Sequence, residues 1–182
     1  MLTIRPLRRH ELDHSSKGRT FDVSADGQSI GRVTDQGAIT INDRSYTITG
    51  GGVTSPGARE TLAILGDGRL PKLTWIPHVL ANADGKAVAT SKRAGSRAYT
   101  VSQGDQAFRF ARAGWISSTW HLSSREGGAL LGSIAKVGWF GLTCRVELPG
   151  TLDKVLQVFL FWQRLRWEIE NSSQDTPYIS TT

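Results

Sequence analysis

The chain has 182 residues, enough for one domain with a real core, and its 38% hydrophobic and 21% charged residues are an ordinary globular balance. A single cysteine, Cys144, excludes an internal disulfide and fits a reducing compartment. The formal charge of +6 points to phosphate-bearing partners, either lipid headgroups or nucleic acid, with a merely solvated basic face as the bland alternative.

Residues 1–18 read as a polar N-terminal extension. The stretch carries positive charge with no apolar run after it, so no secretory signal is expected and the protein is placed in the cytoplasm. Within it, His10-Glu11-Leu12-Asp13-His14 matches HExxH literally, which on a helix would set two zinc ligands one turn apart with Glu11 as general base. The context speaks against zinc catalysis: the surroundings are polar where such helices are apolar, Asp13 is charged, and His78 and His121 fall in strands without a matching motif. An exposed segment is the better reading, and no metal is expected.

From Thr20 to Leu148 short alternating segments are separated by turn residues every 8 to 12 positions, the pattern of an all-β sandwich or barrel. Phe21–Val23 and Ile30–Val33 flank Asp26-Gly27, and Ala38–Ile41 and Tyr46–Ile48 flank Asn42-Asp43. A loose, glycine-rich connection with a brief apolar run at Leu62–Leu65 follows. Trp75–Ala81 and Lys86–Ser91 then flank Asp84-Gly85, Tyr99–Val101 and Ala107–Ala111 flank Gly104-Asp105, and Thr119–Leu122 and Leu130–Ala135 flank Gly127-Gly128. Gly141–Leu148 is the last strand before Pro149-Gly150, and Cys144 shares the parity of Leu142 and Val146 there, as a buried small hydrophobe would.

The segment 151–169 is the one strong helix. Eleven of the eighteen residues from Leu152 to Ile169 are apolar, and Asp153, Lys154, Gln157, Arg164 and Glu168 gather into a narrow polar stripe. Such a helix is surrounded by protein. Thr151 is the expected N-cap, and Arg164 and Arg166 suit the C-terminal pole. The longest apolar run, Val158–Trp162, is far short of the roughly 20 residues a bilayer requires. At about 1.5 to 3 kcal/mol per buried large side chain, the eleven represent about 15 to 30 kcal/mol of gross burial, an upper bound. Residues 171–182 read as a flexible polar tail.

The hairpins repeat weakly. Phe21-x-Val23, Asp26-Gly27 and Ile30-Gly31 align without gaps on Val79-x-Ala81, Asp84-Gly85 and Val88-Ala89, and with a two-residue insertion Trp120-x-Leu122 and Leu131-Gly132 follow. This order of hairpins, closed by an apolar helix after Pro149-Gly150, resembles the tubby C-terminal-like superfamily, whose members include tubby proteins, phospholipid scramblases, LURP-one-related proteins and small bacterial relatives. The resemblance covers 19–170 as a single domain and implies a closed antiparallel β-barrel of short hairpins around a buried C-terminal helix. With the lumen filled by that helix, a ligand is expected on the outer surface, the rims or a basic loop.

Residues 86–112 hold Lys86, Lys92, Arg93, Arg97, Arg109 and Arg112 against Asp105. These six are the candidate lipid- or anion-binding residues, centred on the loop Ser91–Arg97, with about 1 kcal/mol expected per charge at an anionic membrane surface. Arg109 alternates with Phe108 and Phe110 and should point outward, whereas Arg112 has the parity of the rings. Trp162 is expected inside, and Trp115 and Trp139, beside Gly114 and Gly138, are expected at a rim. Gly50–Gly52 lacks the Gly-Lys-Ser/Thr of a phosphate-binding loop, and no Gly-x-Ser-x-Gly elbow, EF-hand loop or RNP1 motif occurs. The expected function is therefore non-enzymatic and cofactor-free: a monomeric module in weak peripheral contact with anionic phospholipid. The alternatives are a nucleic-acid-binding barrel, favoured by a pI near 9.9, and a scaffold for protein partners.

Overall fold

The computed structural model describes residues 1–7, 18–50, 53–54, 74–125, 128–138 and 142–172. The string His10 to His14, the run 62–65, Trp139 and the tail beyond 172 lie outside the described residues. Twelve strands close into one antiparallel barrel: β1 (Leu2–Pro6), β2 (Thr20–Ala25), β3 (Gln28–Thr34), β4 (Ala38–Ile41), β5 (Arg44–Gly50), β8 (His78–Asn82), β9 (Ala87–Arg93), β10 (Ala98–Gln103), β11 (Gln106–Arg112), β12 (Trp120–Ser124), β13 (Leu130–Lys136) and β14 (Cys144–Glu147). The pair β6 (Val53–Thr54) and β7 (Thr74–Trp75) forms a separate two-stranded sheet between β5 and β8. Closure removes every free edge from the barrel sheet.

The expected turns are where the chain reverses. Asp26 and Asn42-Asp43 sit at positive φ, as does Gly27, which fits the two-residue hairpin geometry that Asn, Asp and Gly tolerate. The start of the chain differs from expectation. Residues 2–6 are not part of an extension: Ile4 pairs with Cys144 on one side and Val23 on the other, so β1 closes the barrel between β14 and β2. Leu2 and Ile4 point inward and are buried.

The helix α1 (Lys154–Ser172) begins at Asp153, whose Oδ1 accepts the Val155 N–H; Asp153 rather than Thr151 is the N-cap, because the chain makes one further turn, Leu152 N–H to Pro149 O, before the helix starts. Every residue from Val155 to Leu165 is buried, three turns with no exposed face. Within that span the polar side chains are enclosed too: Gln157 and Arg164 of the stripe, and Gln163, are all buried, while Asp153 and Lys154 at the start of the helix are exposed. At about 100° per residue, Phe161, Trp162, Trp167 and Arg164 point to about 0°, 100°, 240° and 300° around the axis. Their partners are Phe21 on β2, His78 on β8, Trp120 on β12 and Cys144 on β14, the same circular order as the strands themselves. The helix therefore runs through the lumen.

The barrel is built from three four-stranded units: β2 to β5, β8 to β11, and β12, β13, β14 with β1 as the fourth strand. In each, the second strand carries a bulge, the extra residue being Ile30, Val88 or Leu131, and the small residue after it, Gly31, Ala89 or Gly132, faces Val23, Leu80 or Leu122 on the first strand. The gapless alignment of the first two hairpins holds for Ile30-Gly31 on Val88-Ala89 but is one residue out on the first strands, where Val23 corresponds to Leu80 and not to Ala81. Two residues earlier stand Phe21, His78 and Trp120, each packed edge-on against one helix aromatic, Phe161, Trp162 and Trp167, with ring centroids 5.3, 5.0 and 5.6 Å apart. Three ring pairs spaced roughly a third of a turn apart centre the helix.

Following the strands alternately up and down puts the short turns 26–27, 42–43, 83–86 and 104–105 at one end, here the hairpin end, where α1 enters. The connections 35–37, 94–97 and 113–119 lie at the other, the loop end, where α1 finishes, together with Pro6, Thr20, Gly50, His78, Lys136 and Cys144.

The two glycines that follow the bulged residues Ile30 and Leu131 are sterically required. A Cβ on Gly31 would lie 1.9 Å from Thr40 O, and one on Gly132 would lie 2.2 Å from Glu147 O, both backbone atoms of the next strand. Gly31→Ala and Gly132→Ala should each lower stability by about 2 kcal/mol or more, read as a shift of the urea midpoint. Gly114→Ala, with open space around it, should leave the midpoint in place.

Candidate functional site

The six basic residues singled out above do not form one patch. Lys86 lies in the β8–β9 turn at the hairpin end, the opposite end from the loop 94–97. Lys92 and Arg109 are exposed on the outer wall, each in register with Thr100 between them, and Arg109 points outward as its parity requires. Lys92 lies one residue short of the loop end of β9, and Arg93, Arg97 and Arg112 stand at that end near one another.

Of these three, two hold the rim together. Arg93 donates from Nε and Nη2 to the carbonyls of Gly95 and Ser96, and its Nη1 lies 3.9 Å from Glu170 near the end of α1. Arg112, inward by parity, donates to Ser117 O and lies over the Trp167 ring at 5.0 Å. Trp167 Nε1 donates in turn to Ser96 O at 2.8 Å, tying the basic loop to the helix. Arg97 differs in that its guanidinium stacks 4.1 Å above the ring of Trp115.

Trp115 does lie at the rim, and sequence reasoning missed its neighbour. Trp115 is 83% and Ile116 98% exposed, side by side at the tip of the connection from β11 to β12. Lys136 ends β13 at this end, while Arg5 and Arg19 flank the connection from β1 to β2. Against the bases here, the described acids are Asp22, which lies 3.8 Å from Arg5, and Asp35, Glu168 and Glu170. At the hairpin end Asp26, Asp43, Asp84, Asp105 and Asp153 are interspersed with Arg44, Lys86, Arg125 and Lys154. The described basic excess is therefore concentrated at the loop end.

A second polar group lies inside the barrel. The unit positions occupied by the register pairs Phe21–Val33 and Trp120–Ile134 hold His78–Ser91 in the middle unit. Gln163 and Arg166 project from the helix between Trp162 and Trp167, toward that unit. Ser91 Oγ is buried without a hydrogen-bond partner, and the Gln163 amide is buried beside His78. Burial first, and the charge of Arg166 second, push the His78 pKa down from 6.5 to about 4. Beside this layer, Tyr99 is pushed up to about 12, chiefly by burial and then by Glu170. The signal in the sequence was there: aligned on the bulges, His78 takes the place of two aromatic residues.

Cys144 is buried, as its parity indicates, but it is more than a small hydrophobe. Its Sγ accepts from Arg164 Nη1, and Arg164 Nη2 also donates to Glu168 at 2.7 Å. Burial raises the thiol pKa, with the Arg164 charge opposing, so the group is a neutral thiol within a helix-to-wall contact. Among the described residues no three His, Cys, Asp or Glu side chains converge as a metal set. No helix among them is long and apolar enough to cross a membrane.

No family model, no curated protein and no solved structure matches this chain.

Because the folded state holds His78 neutral down to about pH 4 while the unfolded chain takes its proton near 6.5, the unfolded state binds more protons between those values. The stabilisation is complete above about pH 6.5 and is lost as pH falls toward 4, by about 3 kcal/mol. His78→Phe, which copies the first unit, should flatten this part of the stability profile measured by urea unfolding from pH 7 to 4.

Proposed function

We propose that the protein is a non-enzymatic binding module of tubby-like fold that associates peripherally with anionic phospholipid surfaces through the loop end of its barrel. The observation that carries the reading is the one-sided charge: described bases exceed acids at the loop end and are interspersed with them at the hairpin end. A body charged in this way approaches an anionic plane with one end foremost. The filled lumen supports the same reading, since three fully enclosed turns of α1 occupy the space where small barrels hold ligands.

Within the basic group, the division of labour differs from a simple charged loop. Arg93 and Arg112 brace the rim through carbonyls and ring contacts, whereas Lys92 and Arg97 are the charges offered outward. Lys86 faces away from the membrane in this orientation.

The test is sedimentation with phosphatidylcholine vesicles, with and without phosphatidylserine, across a salt series. Binding is expected only with the acidic lipid and should fall as the Debye length contracts from about 30 Å at 0.01 M to about 8 Å at 0.15 M. Lys92→Ala combined with Arg97→Ala should weaken it by about tenfold or more, and Lys86→Ala should leave it unchanged. Equal binding to both vesicle types, or binding to neither, would reject the reading.

A further inference from the structure

We infer that Trp115 and Ile116 form a wedge that enters the interfacial layer of an anionic bilayer, so that the loop end inserts as well as adheres. The inference rests on the membrane reading above and adds to it a depth and an orientation.

Two large apolar side chains exposed at 83% and 98% are costly to present to water unless something covers them. They are not the chance tip of a loose loop. The base of the connection is closed by the Ala113 N–H donating to Thr119 O at 2.9 Å. Its interior is fixed by Arg112 Nε donating to Ser117 O and by the Thr119 N–H donating to Ser117 Oγ at 3.0 Å. The tip is therefore preorganised, which lowers the ordering cost of binding.

The chemistry beside the tip selects the occupant. Arg97 covers one face of the Trp115 ring and places a guanidinium, a phosphate-binding group, directly against an indole. Trp is the side chain that settles at the boundary between headgroups and acyl chains, and Ile116, one residue further, supplies the purely apolar part. A cation at phosphate depth next to an apolar tip matches the layering of an anionic bilayer. A protein groove would be read by the apolar pair but would have no need of the surrounding bases.

The experiment pairs binding with depth. Tryptophan fluorescence of the full chain is followed on acidic vesicles containing lipids brominated along the acyl chain, in parallel with Trp115→Phe. The expected result is quenching in the native protein that largely disappears in Trp115→Phe, which itself still binds. Trp115→Ala and Ile116→Ser should each weaken binding to acidic vesicles by about tenfold, with unfolding midpoints unchanged because both side chains are exposed. If acidic vesicles bind the protein but quenching is the same in Trp115→Phe and affinity the same in Trp115→Ala and Ile116→Ser, the wedge is overturned and the electrostatic reading stands. Failure of the native protein to bind acidic vesicles at all would overturn both.

Discussion

Enclosure of α1 is the constraint on which the rest of the molecule depends. A helix with apolar side chains on nearly every face has no stable place in water, and three turns of it are wholly covered here. The cover is the barrel wall, and the wall in turn needs the helix: a twelve-stranded barrel is wide enough to leave its inward side chains without partners across the axis. Phe21, His78 and Trp120 meet Phe161, Trp162 and Trp167 and so fill that space from both sides. Neither half has a complete core alone.

The three-unit plan accounts for features that otherwise look unrelated. Bulges recur at one place in each unit, where the second strand bends at Ile30, Val88 or Leu131, and the residue after the bulge is small, in the first and third units because the next strand's backbone comes close. The third unit lacks a fourth strand of its own in sequence, because the chain leaves β14 for the lumen; β1 supplies it. The middle unit breaks the apolar pattern with His78 and Ser91, opposite the part of the helix that carries Gln163 and Arg166. The polar layer is thus local to one third of the circumference and not a property of the core as a whole.

Much of the fold was legible in the sequence, for identifiable reasons. Asp-Gly and Asn-Asp pairs between alternating segments located the hairpins, since those residues accept the positive φ that tight turns demand. The all-round apolarity of the helix implied that something encircles it. The strand β1 was hidden because its partners are Val23 and Cys144, one close in sequence and one distant, and five residues ending in Arg5-Pro6 give little period to read. The first strands were misaligned by one because the β8–β9 turn is one residue longer than the β2–β3 turn, a difference that the shared Asp-Gly pair conceals. The basic site was legible as a composition and not as a place: residues six apart, such as Lys86 and Lys92, lie toward opposite ends of one strand. Alternation separated Arg109 from Arg112 correctly, but nothing in the sequence shows that Arg93 and Arg112 spend their donors on backbone carbonyls. Gly114 marked Trp115 as a rim residue, but Ile116 beside it was missed, since a lone aliphatic residue between two strands reads equally well as core.

The pairing of β1 with β14 also sets an order in time. Ile4 leaves the ribosome about 140 residues before Cys144, which at roughly 5 to 20 residues per second is an interval on the order of ten seconds. Until β14 arrives the sheet keeps two open edges, and until α1 arrives the inward rings face water. Of the elements of this barrel, the one made last is the one that must lie innermost. Strands can associate pairwise as they emerge, but the closed state has to wait for the end of α1, and its long-range pairings make that closure slow. A nascent chain of this protein is therefore a curved open sheet with an apolar concave face for most of its synthesis, a natural client for whatever holds such surfaces apart.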